Sequence, residues 1–165
     1  MSSQVLSAQP SLEPALETWI DFLRVHASLT RRLSARLEAE HGLTLRDFDV
    51  LAQLAHTPDH RLRRVDLARS VLLSASGVTR LLDGLERAGL VEKGTCDSDA
   101  RVTYAVLTTA GLEQYRAARR SHVRDVEELF GSHFSAADRE QLSALLARLL
   151  EPGDEGEALC KAEPE

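Results

Sequence analysis

At Gly89 the hydrophobic period of this chain switches from helical to extended. Val78, Leu81, Leu82 and Leu85 recur at the i, i+3, i+4, i+7 spacing of a helix stripe. Leu90–Thr95 ("LVEKGT") and Arg101–Leu107 ("RVTYAVL") instead alternate with the period of two that marks a strand. The upstream pattern predicts a helix over 75–88, with Ser74 as its N-cap and Gly89 as its stop. The downstream pattern predicts two strands joined by a tip at Cys96–Ala100. A two-stranded ribbon is marginal alone and has to pack on the helices beside it.

A shorter helix over 64–71 comes just before, with Val65, Leu67, Ala68 and Val71 available for burial, and only "LLS" separates it from the next. Two helices joined by so short a turn form a helix-turn-helix. Followed by a ribbon and a further helix, they make a winged helix-turn-helix over 64–107, the wing being 90–107.

The flanks are helical. Pro14–Glu40 predicts a helix of about 27 residues, or about 40 Å, with Pro14 in its first turn and Gly42 as its stop. Its stripe of Leu16, Trp19, Ile20, Leu23, Ala27, Leu33 and Leu37 is longer than one small lobe can cover. Thr44 with Asp47 predicts a capping box, and Leu43 with Phe48 a hydrophobic staple, for a helix that "HTPDHR" breaks at Pro58. Thr108 caps the next helix, whose apolar residues run from Leu112 to Phe130 and which reaches about His133. Ser135 with Asp138 opens a last one in which Leu142, Leu145, Leu146, Leu149 and Leu150 face one way. The expected architecture is mainly α, about six helices with a small two-stranded β-wing. The folded domain spans 14–150, between a flexible arm (1–13) and an acidic, disordered tail (151–165).

Composition excludes several classes. Hydrophobic residues at 43% can fill a core, and aromatics at 4% mean that it is mostly Leu, Val and Ala. No apolar run approaches the roughly 18 residues of a membrane span, and "MSSQVLSAQPSLEP" has no basic or apolar signal region. A cytoplasmic protein with no membrane partner is expected. Cys96 and Cys160 are too few for a disulfide framework. His56 and His60 cannot form a helical metal pair across Pro58. No nucleophile motif or phosphate-binding loop is present, so no metal, no cofactor and no catalysis is expected.

The net charge of −6 argues against indiscriminate nucleic-acid binding, but its distribution is uneven. Residues 61–101 carry eight Arg/Lys against six Asp/Glu, while the segments on either side are at −3 and −5. An anionic partner is met in the middle. There the helix over 75–88 begins Ser74, Ala75, Ser76, Gly77, Thr79, Arg80, small or cationic and never acidic. Small side chains let a helix N-terminus sink into a major groove, and its free N–H groups favour phosphate. Asp83 and Glu86 come later, where the helix would leave the duplex.

The blocks "LTLRDFDVLAQL", "RRVDLARSVLLSASGVTRLLDGLERAGLVEKG" and "DARVTYAVLTTAG" resemble the MarR family of winged helix-turn-helix transcriptional regulators, over roughly Leu16 to Leu150. The resemblance implies a homodimer in which helices 14–40 and 109–150 of two chains interlock. It implies double-stranded DNA as partner, a palindromic operator, repression in most cases and relief by a small aromatic or phenolic effector. It places Ser76, Thr79 and Arg80 at reader positions, Arg101 as the wing arginine of the minor groove, and Asp99 as the wing aspartate orienting nearby arginines. With Ser74 and Gly77 these make up the expected DNA-binding set. The family's common D-R-R reads "DAR" here, so Ala100 stands in place of one base.

Two matters stay open at this stage. Family members hold aromatic acids between the dimer helices and the reader, where Trp19, His26, Arg46, Asp47 and His122 are available, and none is singled out. The alternative of a redox switch rests on Cys96 at the base of the wing tip, since the first helix lacks the peroxide-sensing cysteine of one branch of the family.

Overall fold

The computed structural model describes residues 13–70, 75–96 and 99–150. Most of the expected N-terminal arm, Ser74, Asp97 and Ser98 of the wing tip, and the acidic tail with Cys160 lie outside the described residues. The elements in chain order are α1 (Glu13–His41), α2 (Leu45–Ala55), β1 (Arg61–Arg63), α3 (Arg64–Ser70), α4 (Ala75–Arg87), β2 (Val91–Cys96), β3 (Asp99–Leu107), α5 (Thr109–Leu129) and α6 (Ala136–Ala147).

Local chemistry sets the boundaries. Thr44 and Asp47 form the capping box of α2: the Asp47 N–H donates to Thr44 Oγ1 at 3.1 Å, and the Thr44 N–H donates to Asp47 Oδ2 at 2.9 Å. Ser135 and Asp138 repeat it at α6. α4 ends in a Schellman arrangement, with Gly89 at φ +71°, its N–H donating to the Glu86 carbonyl and the Leu90 N–H to that of Leu85. α5 stops at Leu129, short of the expected His133, and a 3₁₀ turn at Gly131–His133 follows.

The sheet has three strands in the order β1-β3-β2, not two. β1 pairs antiparallel with β3, with Arg61 opposite Val106 and Arg63 opposite Tyr104. It lines the wing on the side away from β2 and leads straight into α3. The wing strands also reach further than the expected tip allowed. Cys96 pairs with Asp99, while the preceding pair is Thr95 with Thr103. Residues 100–102 therefore fall in an irregularity of β3, of the kind that bends a strand and raises its twist.

One core holds the reader together. It takes Leu37 from the end of α1, Phe48, Leu51 and Leu54 from α2, and Leu67 from α3. Val78, Leu82 and Leu85 come from α4, Val91, Ala105 and Leu107 from the sheet, and Tyr115 and Ala118 from α5. The sequence "LTTAG" docks α5 on this core. Thr108 Oγ1 donates to the carbonyls of Gly89 (2.8 Å) and Leu90 (3.1 Å) and accepts the Gly111 N–H at 3.0 Å. Gly111 is required there, because a Cβ would run into the Leu90 carbonyl oxygen.

α1 and α6 behave differently. Leu37 is the only buried residue of α1, and α6 has none. Trp19 is 54% exposed and Leu149, just past α6, is 74% exposed. An ion-pair network ties the second half of α1 to α5. Arg36 donates to Asp125 (3.0 Å) and Glu128 (2.7 Å), and Arg124 to Glu40 (2.8 Å) and Asp125 (3.1 Å). The Arg36 guanidinium holds the Glu128 carboxyl below its ordinary range, and the Ser121 hydroxyl, with Arg124 second, does the same for Glu40.

Candidate nucleic-acid interface

α4 divides cleanly into a packed stripe and an exposed face. Val78, Leu82 and Leu85 are buried and Leu81 packs against the core, which leaves Thr79, Arg80 and Asp83 exposed. Gly77 is half-buried, so the backbone of the first turn comes close to the surface. The first turn contains no acid. Of the expected reader residues, Gly77, Thr79 and Arg80 are thus brought together on one helix. Ser76 is on the same first turn, and Ser74 lies outside the described residues.

The acid furthest along α4 is drawn away from that face. Glu86 is largely buried, ion-paired with Arg64 at the start of α3 and 3.3 Å from Lys93 Nζ on β2. A carboxylate that would otherwise repel phosphate is neutralised by two cations. The same contacts lock the recognition helix to the helix before it and the strand after it. Sequence reading placed Glu86 merely further along the helix. The available signal was that Arg64, Glu86 and Lys93 all sit in the one basic segment, but only the three-dimensional pairing reveals their role.

On the sheet, the backbone puts Asp99 opposite Cys96 and places Arg101 inside the irregular stretch of β3. β1 brings two further cations beside the wing. Arg61 and Arg63 are exposed, and the Arg61 guanidinium lies 5.3 Å from the centre of the Tyr104 ring. The signal for β1 was the polar–apolar–polar pattern of "RLR", three residues long and too short to register as a period.

The residues considered for an effector separate. His26 and Arg46 line an open cleft of about 530 Å³ between α1 and α2, with Thr30, Ser34 and Asp49. Burial pushes the Asp49 carboxyl up to about 6, against the pull of Arg46. Trp19 stacks on Phe22 (5.8 Å) and Phe22 on His26 (6.3 Å), so an aromatic ladder runs along α1 to the cleft. Asp47 is committed to its capping box, and His122 is buried in the core against Phe48 at 4.8 Å. Asp49 was missed by sequence reading; its half-buried position depends on how α1 lies across α2. Among the described residues no three His, Cys, Asp or Glu side chains are grouped to hold a metal, and no helix is long and apolar enough to cross a membrane.

Comparison with known proteins agrees with this geometry. A sequence model described as "MarR family" matches residues 41–102, the segment from the end of α1 to the wing. The chain is 26% identical to the HTH-type transcriptional regulator MhqR of Bacillus subtilis, over 83% of this chain and 92% of that one. Its fold matches that of AbsC, a MarR family transcriptional regulator from Streptomyces coelicolor, with a TM-score of 0.77 and 30% identity over 86% of this chain and 95% of that one. It matches Sco3205, a MarR family regulator from the same organism solved in complex with DNA, with a TM-score of 0.77 and 25% identity over 92% and 96% of the two chains. With the helix-turn-helix, the wing and the long flanking helices in the same order, the chain belongs to the MarR family of winged helix-turn-helix transcriptional regulators.

Proposed function

We infer that this chain is a cytoplasmic, sequence-specific DNA-binding regulator that acts as a homodimer on a palindromic operator, as a repressor. The observation that carries the reading is the division of α4. A packed stripe holds the helix in place, an acid-free first half faces outward, and Glu86 is turned inward onto Arg64 and Lys93. In this reading α4 enters the major groove with Ser74, Ser76, Gly77, Thr79 and Arg80. The wing reaches the adjacent minor groove with Arg101, assisted by Asp99, where a narrow groove concentrates negative potential that suits arginine. Arg61 and Arg63 add positive charge beside it.

The dimer is supported by the unburied faces of α1 and α6. Burying one large aliphatic side chain is worth about 1.5–3 kcal/mol, and Leu16, Trp19, Ile20, Leu23, Leu145, Leu146 and Leu149 all stay exposed among the described residues. Helices 14–40 and 109–150 of two chains interlocking would bury them and set two copies of α4 about one helical turn apart. Repression has the support of relatives such as YetL of Bacillus subtilis, a transcriptional repressor 32% identical over 68% of this chain. A small aromatic or phenolic acid fits the α1–α2 cleft, with Arg46 as its cation and the Trp19–Phe22–His26 ladder beside it.

The test is a mobility shift on the DNA upstream of the chain's own gene and its neighbours, titrated with salt. The wild type should retard a palindromic fragment. Arg101→Ala should bind it at least tenfold more weakly, with a shallower dependence of log K on log salt, by up to about 0.9 per lost phosphate contact. Unchanged affinity and slope would remove Arg101 from the interface.

A further inference from the structure

The arginines of α5 fall into two sets. Arg124, with Arg36 of α1, is fully engaged by Glu40, Asp125 and Glu128. Arg116, Arg119 and Arg120, one to two turns earlier, make no ion pair or hydrogen bond among the described residues. All three line a cavity of about 220 Å³ between α5 and the end of α2, together with His56 and His60. Among the described residues no Asp or Glu lines it. In a chain of net charge −6, three guanidinium groups and two imidazoles converging without a carboxylate is an unbalanced arrangement. Guanidinium groups that face one cavity repel one another, and an anion that joins them relieves that repulsion.

The floor of the cavity is a surface for an organic body. Leu112 and Tyr115 line it, and Tyr115 is 4% exposed and meets His56 edge-on at 5.9 Å. His56 donates its Nδ1–H to the Ala52 carbonyl at 2.7 Å, which fixes the ring at the cavity wall. His60 adds an independent mark. Its Nδ1 is buried with no hydrogen-bond partner, and Asp59 and His60 are both held at positive φ, +59° and +52°. Two successive non-glycine residues in the left-handed region store strain of the sort that clusters at ligand sites.

We propose that this cavity binds a small organic dianion, a molecule with two carboxylate groups or one phosphate group in reach of Arg116, Arg119 and Arg120 and an apolar body resting on Leu112 and Tyr115. Guanidinium forks match carboxylate and phosphate oxygens in bidentate pairs. The site is separate from the α1–α2 cleft, which is lined by the first residues of α2 whereas this cavity is lined by its last. His60 is followed directly by β1 and then α3, so an occupant would brace the turn that leads into the helix-turn-helix. The binding claim does not depend on the DNA reading, because it is measured without DNA.

The experiment is isothermal titration of the full chain with phthalate, phenyl phosphate and benzoate at pH 7 and constant ionic strength. Phthalate and phenyl phosphate should bind saturably at one per chain, at least tenfold tighter than the monoanion benzoate, and the tighter of the two identifies which acid group the site prefers. An Arg119→Gln/Arg120→Gln double variant, with circular dichroism unchanged, should lose at least tenfold in dianion affinity. Arg148→Gln, remote from the cavity, should lose none. Equal binding of dianions and benzoate, an affinity unmoved by the double variant, or no binding at all would each overturn the proposal.

Discussion

The reader lobe and the helical arms are built from the same leucine-rich vocabulary, yet they end in opposite states. In the lobe, Leu51, Leu54, Leu67 and Leu82 are wholly buried by other parts of the same chain. In the arms, Leu145, Leu146, Leu149 and Leu150 repeat at similar spacing and stay 40–74% exposed. The difference lies in what each stripe has to pack on. The lobe closes three helices over a sheet, whereas among the described residues α6 meets no surface that buries any of its own. In the proposed homodimer a second copy covers that stripe. The lobe thus explains how the chain folds, and the arms explain what its folded form is for.

The comparison breaks most visibly at the joint between lobe and α5. Gly111→Val forces a side chain into the Leu90 carbonyl and should cost the lobe about 3 kcal/mol or more, as overpacking against backbone does. Urea denaturation of the purified variant would read this directly, and a loss under about 1 kcal/mol would mean that α5 docks differently. In the arms, Leu146→Asp should leave the lobe's folding untouched and weaken self-association about 100-fold, about 2.7 kcal/mol. Sedimentation velocity would show a shift to monomer with an unaltered far-ultraviolet spectrum. A mere loss of solubility with the same oligomeric state would count against α6 as interface.

A smaller effect sits where the two regions meet. The Asp49 carboxyl is raised to about 6 by burial, above the value of about 3.9 expected when unfolded. The folded state therefore holds the proton more tightly, so Asp49 lowers stability as pH rises from about 4 to about 6 and keeps it low above that. Asp49→Asn should stabilise the protein by about 1–2 kcal/mol at pH 7, allowing for solvent screening at a half-buried site, and by little at pH 4. Melting curves at the two pH values give the difference, and equal gains at both would assign the effect to packing.

Much of the fold could be read from sequence because its signals are local. Thr44–Asp47, Ser135–Asp138 and Thr108 act within three residues, and Gly89 marks both the end of α4 and the change of period. What could not be read depends on distant pairing. β1 exists because Arg61–Arg63 meet Tyr104–Val106, some forty residues on. Glu86 is silenced by Arg64 and Lys93 from two other elements. Asp125, 2% exposed, looks like an ordinary solvent-facing acid in "RDVEEL" until Arg36 arrives from α1 to pair with it.

In the proposed homodimer the arms set the spacing of two readers. Binding of the full chain to an operator duplex should be measured with five and with ten base pairs inserted between the half-sites. Two chains should occupy the native site, and five base pairs, which turn one half-site to the opposite face of the duplex, should weaken binding at least 100-fold. A single half-site, or the five-base-pair insertion, bound as tightly as the intact palindrome would contradict the account.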